Sequence, residues 1–250
     1  MAEELKLVAG VVAAGLALGA AAGCSEMAWS GGGSSEGTAI HLDEAASGGS
    51  ESSSIGDFDT VENQTSVNIV YTQDGGPSAK VQGDPADVKQ IVLRMSGRKL
   101  IVTSVNNAHI HGTVTVRLAS RSLKAFTLAG SGDCALNSLK GDGLKADLNG
   151  SGNISASGSV HGLTVNLAGS GNVKVDGLHT GNASVEIGGS GNVRVNANDS
   201  VSVDVNGSGS VWVGSPAKLA VNINGSGDVH YHGNPSVTQS INGSGSIHHE

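Results

Sequence analysis

At 250 residues the chain has room for one large domain or two small ones, and 39 of those residues are glycine, more than twice the usual ~7%. Charged residues are 14%, the net charge is −8, and the aromatics number six: Phe58, Phe126, Tyr71, Tyr231, Trp29 and Trp212. That excludes the bulky core of an α/β enzyme, the stacking platform of a single-strand nucleic-acid binder and collagen's strict glycine period, while 38% hydrophobic residues exclude a wholly disordered chain.

Residues 1–23 read as a signal peptide. Leu7 to Gly23 is an uncharged run of Val, Ala, Leu and Gly, too short for a spanning helix of ~20 residues and suited to a cleavable apolar segment. It ends Ala21-Ala22-Gly23-Cys24, which resembles the lipobox of bacterial lipoproteins, with Ala21 where leucine is commonest. Glu3 and Glu4 beside a lone Lys6 depart from the usual basic start. The resemblance implies cleavage before Cys24 and acylation of its thiol, with palmitate-type chains anchoring the protein to a membrane.

Residues 24–56 read as a lipidated, disordered tether rich in Ser, Gly and Glu. Residues 25–62 hold eight acids and no Lys or Arg, which equals the whole charge excess. As a flexible coil the tether spans roughly 30 Å, and about 105 Å if fully extended.

From residue 57 the pattern becomes β. Residues 57–124 carry apolar alternation around Val67–Tyr71, Lys80–Val81, Ile91–Met95, Leu100–Val102 and Thr113–Leu118. Turn signals at Asp74-Gly75-Gly76-Pro77, Gly83-Asp84-Pro85 and Ser96-Gly97 separate them, with one helical turn expected over Pro85–Lys89. Residues 63–124 hold eight Lys/Arg against three acids, spread among the strands as a solvated face. No nucleic-acid partner is expected.

Residues 125–250 are a repeat. Gly-Ser-Gly begins at Gly130, Gly150, Gly169, Gly189, Gly207, Gly225 and Gly243, at spacings of 20, 19, 20, 18, 18 and 18. Two residues before each stand Leu128, Leu148, Leu167, Ile187, Val205, Ile223 and Ile241; four after each first glycine stand Cys134, Ile154, Val173, Val193, Val211, Val229 and Ile247. Polar or small residues alternate with these columns, so each repeat is strand, corner, strand with one face inward. The expected fold is all-β: a parallel β-solenoid (β-helix) of stacked 18–20-residue turns, seven of them over roughly 29 Å. Gly-Ser-Gly is expected at corners whose backbone angles forbid a Cβ.

The residue after each Gly-Ser-Gly is Asp133, Asn153, Asn172, Asn192, Ser210, Asp228 or Ser246, suited to local turn bonds or a ladder along the axis. Only two of seven are Asp, which argues against a calcium-binding roll. No cofactor is expected. Cys134 falls in an inward column and reads as a small core residue. His230 and His232 alternate on one outer face, with His248 one rung beyond; as metal ligands they are candidates, and an exposed polar face is the plainer reading. His109 and His111 show the same alternation alone. Asp176 and Asp204 show no matched acid and base environments, no helix follows a Gly-x-Ser-x-Gly turn, and the chain is expected not to be an enzyme.

Leu100-Ile101-Val102, Leu128-Ala129-Gly130-Ser131-Gly132-Asp133, the successive Gly-Ser-Gly-[Asp/Asn] turns and the ending Gly225-Ser226-Gly227-Asp228-Val229-His230-Tyr231-His232-Gly233-Asn234-Pro235 carry a family resemblance. Residues ~57–249 resemble the putative auto-transporter adhesin, head GIN domain family. It implies a parallel β-solenoid on secreted or lipid-anchored bacterial proteins and brings no functional residues with it. Cys134 departs from the aliphatic residue usual there. The expected function is an extracytoplasmic, lipid-anchored surface module for binding or adhesion in the bacterial cell envelope. Its expected partners are the membrane through the N-terminal lipid, an unknown glycan or protein ligand, and another copy through the solenoid end. The alternatives are an envelope-glycan-acting enzyme or an envelope sensor or structural protein.

Overall fold

Val, Leu and Ile at every second position on both sides of each Gly-Ser-Gly corner build two stacked ranks of strand around one aliphatic core. The computed structural model describes residues 38–40, 50–53, 55–105 and 110–250, all within the unit Gly37–Glu250. The signal segment 1–23, Cys24 and His109 lie outside the described residues.

In chain order the first elements are β1 (Thr38–Ile40), β2 (Ser50–Ser53), β3 (Thr60–Asn63), β4 (Asn68–Gln73), β5 (Ser78–Gln82), the helical turn α1 (Pro85–Val88), β6 (Ile91–Ser96), β7 (Lys99–Ser104), β8 (Thr115–Ser120) and β9 (Ala125–Leu128). The repeats follow as β10 (Asp133–Leu148), β11 (Asn153–Leu167), β12 (Val173–Ile187), β13 (Val193–Val205), β14 (Val211–Val213), β15 (Lys218–Ile223), β16 (Val229–Tyr231), β17 (Ser236–Ile241) and β18 (Ile247–His249). Each repeat pairs in parallel with the next, with Leu148 beside Leu167, Leu167 beside Ile187 and Ile187 beside Val205. The chain is an all-β solenoid of about six turns, one fewer than a count of the corners suggests, because seven corners enclose six intervals.

The residues after each corner form what we call face A, which runs β5–β8–β4 and then through the first halves of β10 to β13 to β14, β16 and β18. Those before each corner form face B, from β6, β7, β3 and β9 through the second halves of β10 to β13 to β15 and β17. The inward columns are buried from Phe126 and Cys134 to Ile223 and Val229. They fail only at the ends: Lys124 is exposed on the first rung, and on the last Gln239 is exposed and Ile241 is 40% exposed.

Residues 57–124 lack the repeat period because they double back. The β3–β4 turn lies against the repeats, the β7–β8 turn lies outside it, and β5 and β6 run antiparallel beyond that. β9 then pairs on the inner side of β3 and restarts the stack. Gly97, with φ 60, opens the tight β6–β7 hairpin, where only glycine takes that angle without cost. The helical turn is short: Asp84 caps it by accepting from Ala86 N at 2.9 Å, and Pro85 stands in its first turn. Within residues 24–56, β1 and β2 pair antiparallel with β6 and β5.

The reason for the corner glycines differs from the expected one. None of them is among the residues of positive φ. A Cβ on Gly150 would instead overlap the carbonyl oxygen of Gly130, and one on Gly152 that of Gly132; the same clash recurs at every later corner. Rungs stack so closely here that the Ser151 amide donates to Gly130 O at 3.2 Å, and Ser170, Ser190, Ser208, Ser226 and Ser244 repeat the bond. Close approach, and not a special backbone angle, demands glycine.

Candidate binding face

Strand pairing turns residues far apart in sequence into straight outward rows on face A. The row beside the corners is a ladder of amides. Asp133 N donates to Asn68 Oδ1 at 2.9 Å, Asn153 Nδ2 to Asp133 Oδ1 at 2.7 Å, Asn172 Nδ2 to Asn153 Oδ1 at 3.0 Å and Asn192 Nδ2 to Asn172 Oδ1 at 3.1 Å. Each asparagine spends one of its two N–H groups on the ladder and leaves the other for solvent or a ligand. Near the end of the row stands Asp228: the Ser246 hydroxyl and amide bond its carboxylate and hold it below the usual carboxylate range.

The next row, two residues further along each strand, starts at Lys80 and Arg117, crosses Val70, Ala135 and Ser155, and rises again at Lys174 and Arg194. Small residues between long cations leave a trough of about 580 Å³. Arg117 bounds it at one end and Lys174 at the other, with Asn68, Asn153 and Asn172 along one side. Arg117 Nε donates to Gln82 Oε1 at 2.8 Å. Among the described residues, the Lys174 side chain has no ion pair or hydrogen bond, and the Arg194 side chain has only its contact with Trp212.

Beyond Arg194 the row becomes a ring stack. The Arg194 guanidinium lies 4.8 Å over Trp212, Trp212 stacks on His230 at 5.3 Å with 7° between planes, and His230 stacks on His248 at 5.0 Å. Tyr231 and His249 form a second stack at 5.0 Å. Both faces of the Trp212 ring are therefore covered, and no sugar ring can lie on it. His230 Nδ1 sits 2.7 Å from Glu250 Oε1, off the hydrogen-bonding direction, and His232 Nε2 is 3.8 Å from Glu250 Oε2.

Of the candidate metal trio, His230 and His248 come together as rings stacked 5.0 Å apart, and His230 and His232 both face Glu250. Among the described residues no group of three or more His, Cys, Asp or Glu is arranged to hold a metal.

Face B carries a second trough, of about 500 Å³, lined by Lys124, Lys145, Thr164, Asn182 and Ser184. Its outward charges are largely paired: Lys145 Nζ lies 2.7 Å from Asp147 Oδ2, and Lys99 pairs with Glu62. Lys124 Nζ reaches Asp59 at 3.1 Å, with Arg98 Nε on the same oxygen at 2.9 Å. Burial raises the Asp59 pKa, but the two cations outweigh it and hold the carboxyl below its ordinary range. Cys134 stands where expected, under face A, with burial pushing its thiol up to about 12. Among the described residues its side-chain neighbour in bonding range is Asn63 Nδ2 at 3.9 Å.

The repeat columns already contain Lys174, Arg194, Trp212, His230 and His248. Missing from any sequence reading are Arg117, Val70 and Asn68, which join these rows only because β4 and β8 fold back beside β10. Asn63 was missed too: it is fully buried, accepts from Thr65 N at 3.0 Å and Thr65 Oγ1 at 2.8 Å, and donates to Val67 O at 2.9 Å. It shapes the first corner, which has no Gly-Ser-Gly.

Residues 57–235 match the family model described as putative auto-transporter adhesin, head GIN domain. No match is found among curated proteins. Among solved structures the chain is similar to a putative adhesin from Bacteroides fragilis NCTC 9343, with TM-score 0.72, 21% identity, and coverage of 80% of this chain and 96% of that one. A putative adhesin from Parabacteroides merdae ATCC 43184 gives TM-score 0.64 and 22% identity over 80% and 95% of the two chains. A protein described as a putative lipid binding protein from Parabacteroides distasonis ATCC 8503 gives TM-score 0.63 and 25% identity over 80% and 96%. Among the described residues no helix is long and apolar enough to cross a membrane.

Proposed function

The chain belongs to the putative auto-transporter adhesin, head GIN domain family, and on that premise we propose that it is a surface-displayed adhesion module which binds its ligand on face A. The observation that carries this reading is the outward row itself. Arg117, Lys174 and Arg194 flank and extend a trough bordered by amide donors, and Lys174 and Arg194 form no ion pair among the described residues. A face built for its own stability would pair those charges, as face B pairs Lys145 with Asp147.

Chemistry at the trough is poorly supported by the same residues. Its one lining carboxylate, Asp133, is tied into the amide ladder, and its one thiol, Cys134, is held protonated by burial. Display rests on Cys24: acylation there anchors the chain to the membrane of the bacterial envelope, with the Ser/Gly/Glu-rich segment ahead of β1 as the spacer.

Adhesion is tested with the full chain on beads, passed over surfaces coated with glycans or matrix proteins. Retention on at least one coating is expected; no retention on any at high protein concentration would overturn the reading. Display is tested by Cys24→Ala, which should abolish fatty-acyl labelling and move the chain out of the membrane fraction.

A further inference from the structure

We propose that the ligand of face A is an acidic polysaccharide lying along the solenoid axis across the trough between Arg117 and Lys174. The inference rests on the adhesion reading and adds the chemistry of the ligand.

The argument starts from what the trough can offer. Arg117 and Lys174 are four rungs apart, about 19 Å at the usual strand spacing, and Arg194 follows one rung later. Between the cations the floor is Val70, Ala135 and Ser155, low enough for a chain to pass over. Along the edge, Asn153 and Asn172 each keep one N–H unspent. The lining is thus rich in donors and cations, and the complementary ligand is extended and rich in anionic oxygens. Asp133, the lining's only carboxylate, already accepts from Asn153, so it adds one negative charge against two lining cations.

Three observations favour an acidic polysaccharide over other ligands. A neutral glycan wants an open aromatic face, and the Trp212 ring is covered by Arg194 and His230. A nucleic acid wants stacking platforms for its bases, and the trough is lined by no aromatic residue. An anionic lipid surface wants apolar residues to insert, and among the described residues the exposed large hydrophobic is Ile241, which lies on face B.

The test is affinity electrophoresis of the full chain through gels holding polygalacturonate, heparin or dextran, at several salt concentrations. The two acidic polymers should retard the chain and dextran should not. Lys174→Gln with Arg194→Gln should weaken retention about tenfold or more and lower the log–log salt slope by roughly two. Lys145→Gln with Lys218→Gln makes the same change of net charge away from the trough and should leave retention unchanged. Circular dichroism and Tm confirm that both double variants are folded. The proposal is overturned by equal weakening in both double variants, by retention on dextran alone, or by no retention on either acidic polymer. Tighter binding to single-stranded DNA or to phosphatidylglycerol vesicles than to either acidic polymer overturns it as well. If the full chain still adheres to coated surfaces while the trough variant adheres equally well, only the ligand class falls. If the chain adheres to nothing, the adhesion reading falls with it.

Discussion

The carbonyl oxygen of Gly130 occupies the space in which a Cβ on Gly150 would stand. The same oxygen accepts the Ser151 amide at 3.2 Å, so it cannot retreat without breaking the rung-to-rung bond. Gly150→Ala should therefore destabilise the fold by about 3 kcal/mol or more, among the larger effects of a single substitution. Gly188 sits immediately before Gly189, the first glycine of a later corner, yet a Cβ on Gly188 meets nothing within 4 Å. Gly188→Ala should change stability by no more than about 1 kcal/mol, in either direction. Urea denaturation of both variants checks the pair, and equal losses would show that crowding is not what the corners select against.

That contrast also shows which parts of the fold could be read from the chain. A column such as Leu148, Leu167, Ile187 and Val205 is a local pattern repeated at one spacing, so period alone predicts the stack and its inward face. The purpose of Gly-Ser-Gly was not legible, because the clash involves an oxygen one turn away and leaves no mark on the glycine's own neighbours. Face A was half legible for the same reason. Lys174, Arg194 and Trp212 fall in one repeat column, but Arg117 joins the row only through β8 pairing with β4, which follows no period.

Asn63 should prove more costly to replace than any ladder asparagine. Its amide closes the first corner through Thr65 and Val67 while fully buried, and Asn63→Ala leaves those groups without that partner. The expected loss is about 1–3 kcal/mol, against under about 1 kcal/mol for Asn172→Ala on the exposed ladder. Thermal unfolding of the two variants side by side measures the difference. Similar losses would mean that the outer ladder, and not the buried corner, organises the stack.

Cys134 should be inert in the folded chain. Burial lifts its thiol to about 12, so little thiolate exists near pH 8, and its sulfur lies beneath face A at 2% exposure. Titration with a thiol-specific disulfide reagent at pH 8, on a chain carrying Cys24→Ala, should show no reaction until denaturant unfolds it. Prompt reaction of the native chain would show that the floor of the trough opens.

Asp59 gives the fold an acid-sensitive point at its first turn. Burial alone would raise its pKa, but Arg98 at 2.9 Å and Lys124 at 3.1 Å turn the shift downward. A carboxyl with a lowered folded pKa binds its proton less readily when folded than when unfolded. Its contribution is therefore fully present above the unfolded value near 4 and is lost as pH falls through the lower folded value. Arg98 and Lys124 are 58% and 73% exposed, so solvent screens the pair and the contribution is at most about 1 kcal/mol. Asp59→Asn should lower Tm at pH 7, and the gap between variant and parent should close as pH falls below about 4. A gap that stays constant from pH 7 to pH 2 would mean that the ion pairs contribute nothing and that only the shape of the side chain matters.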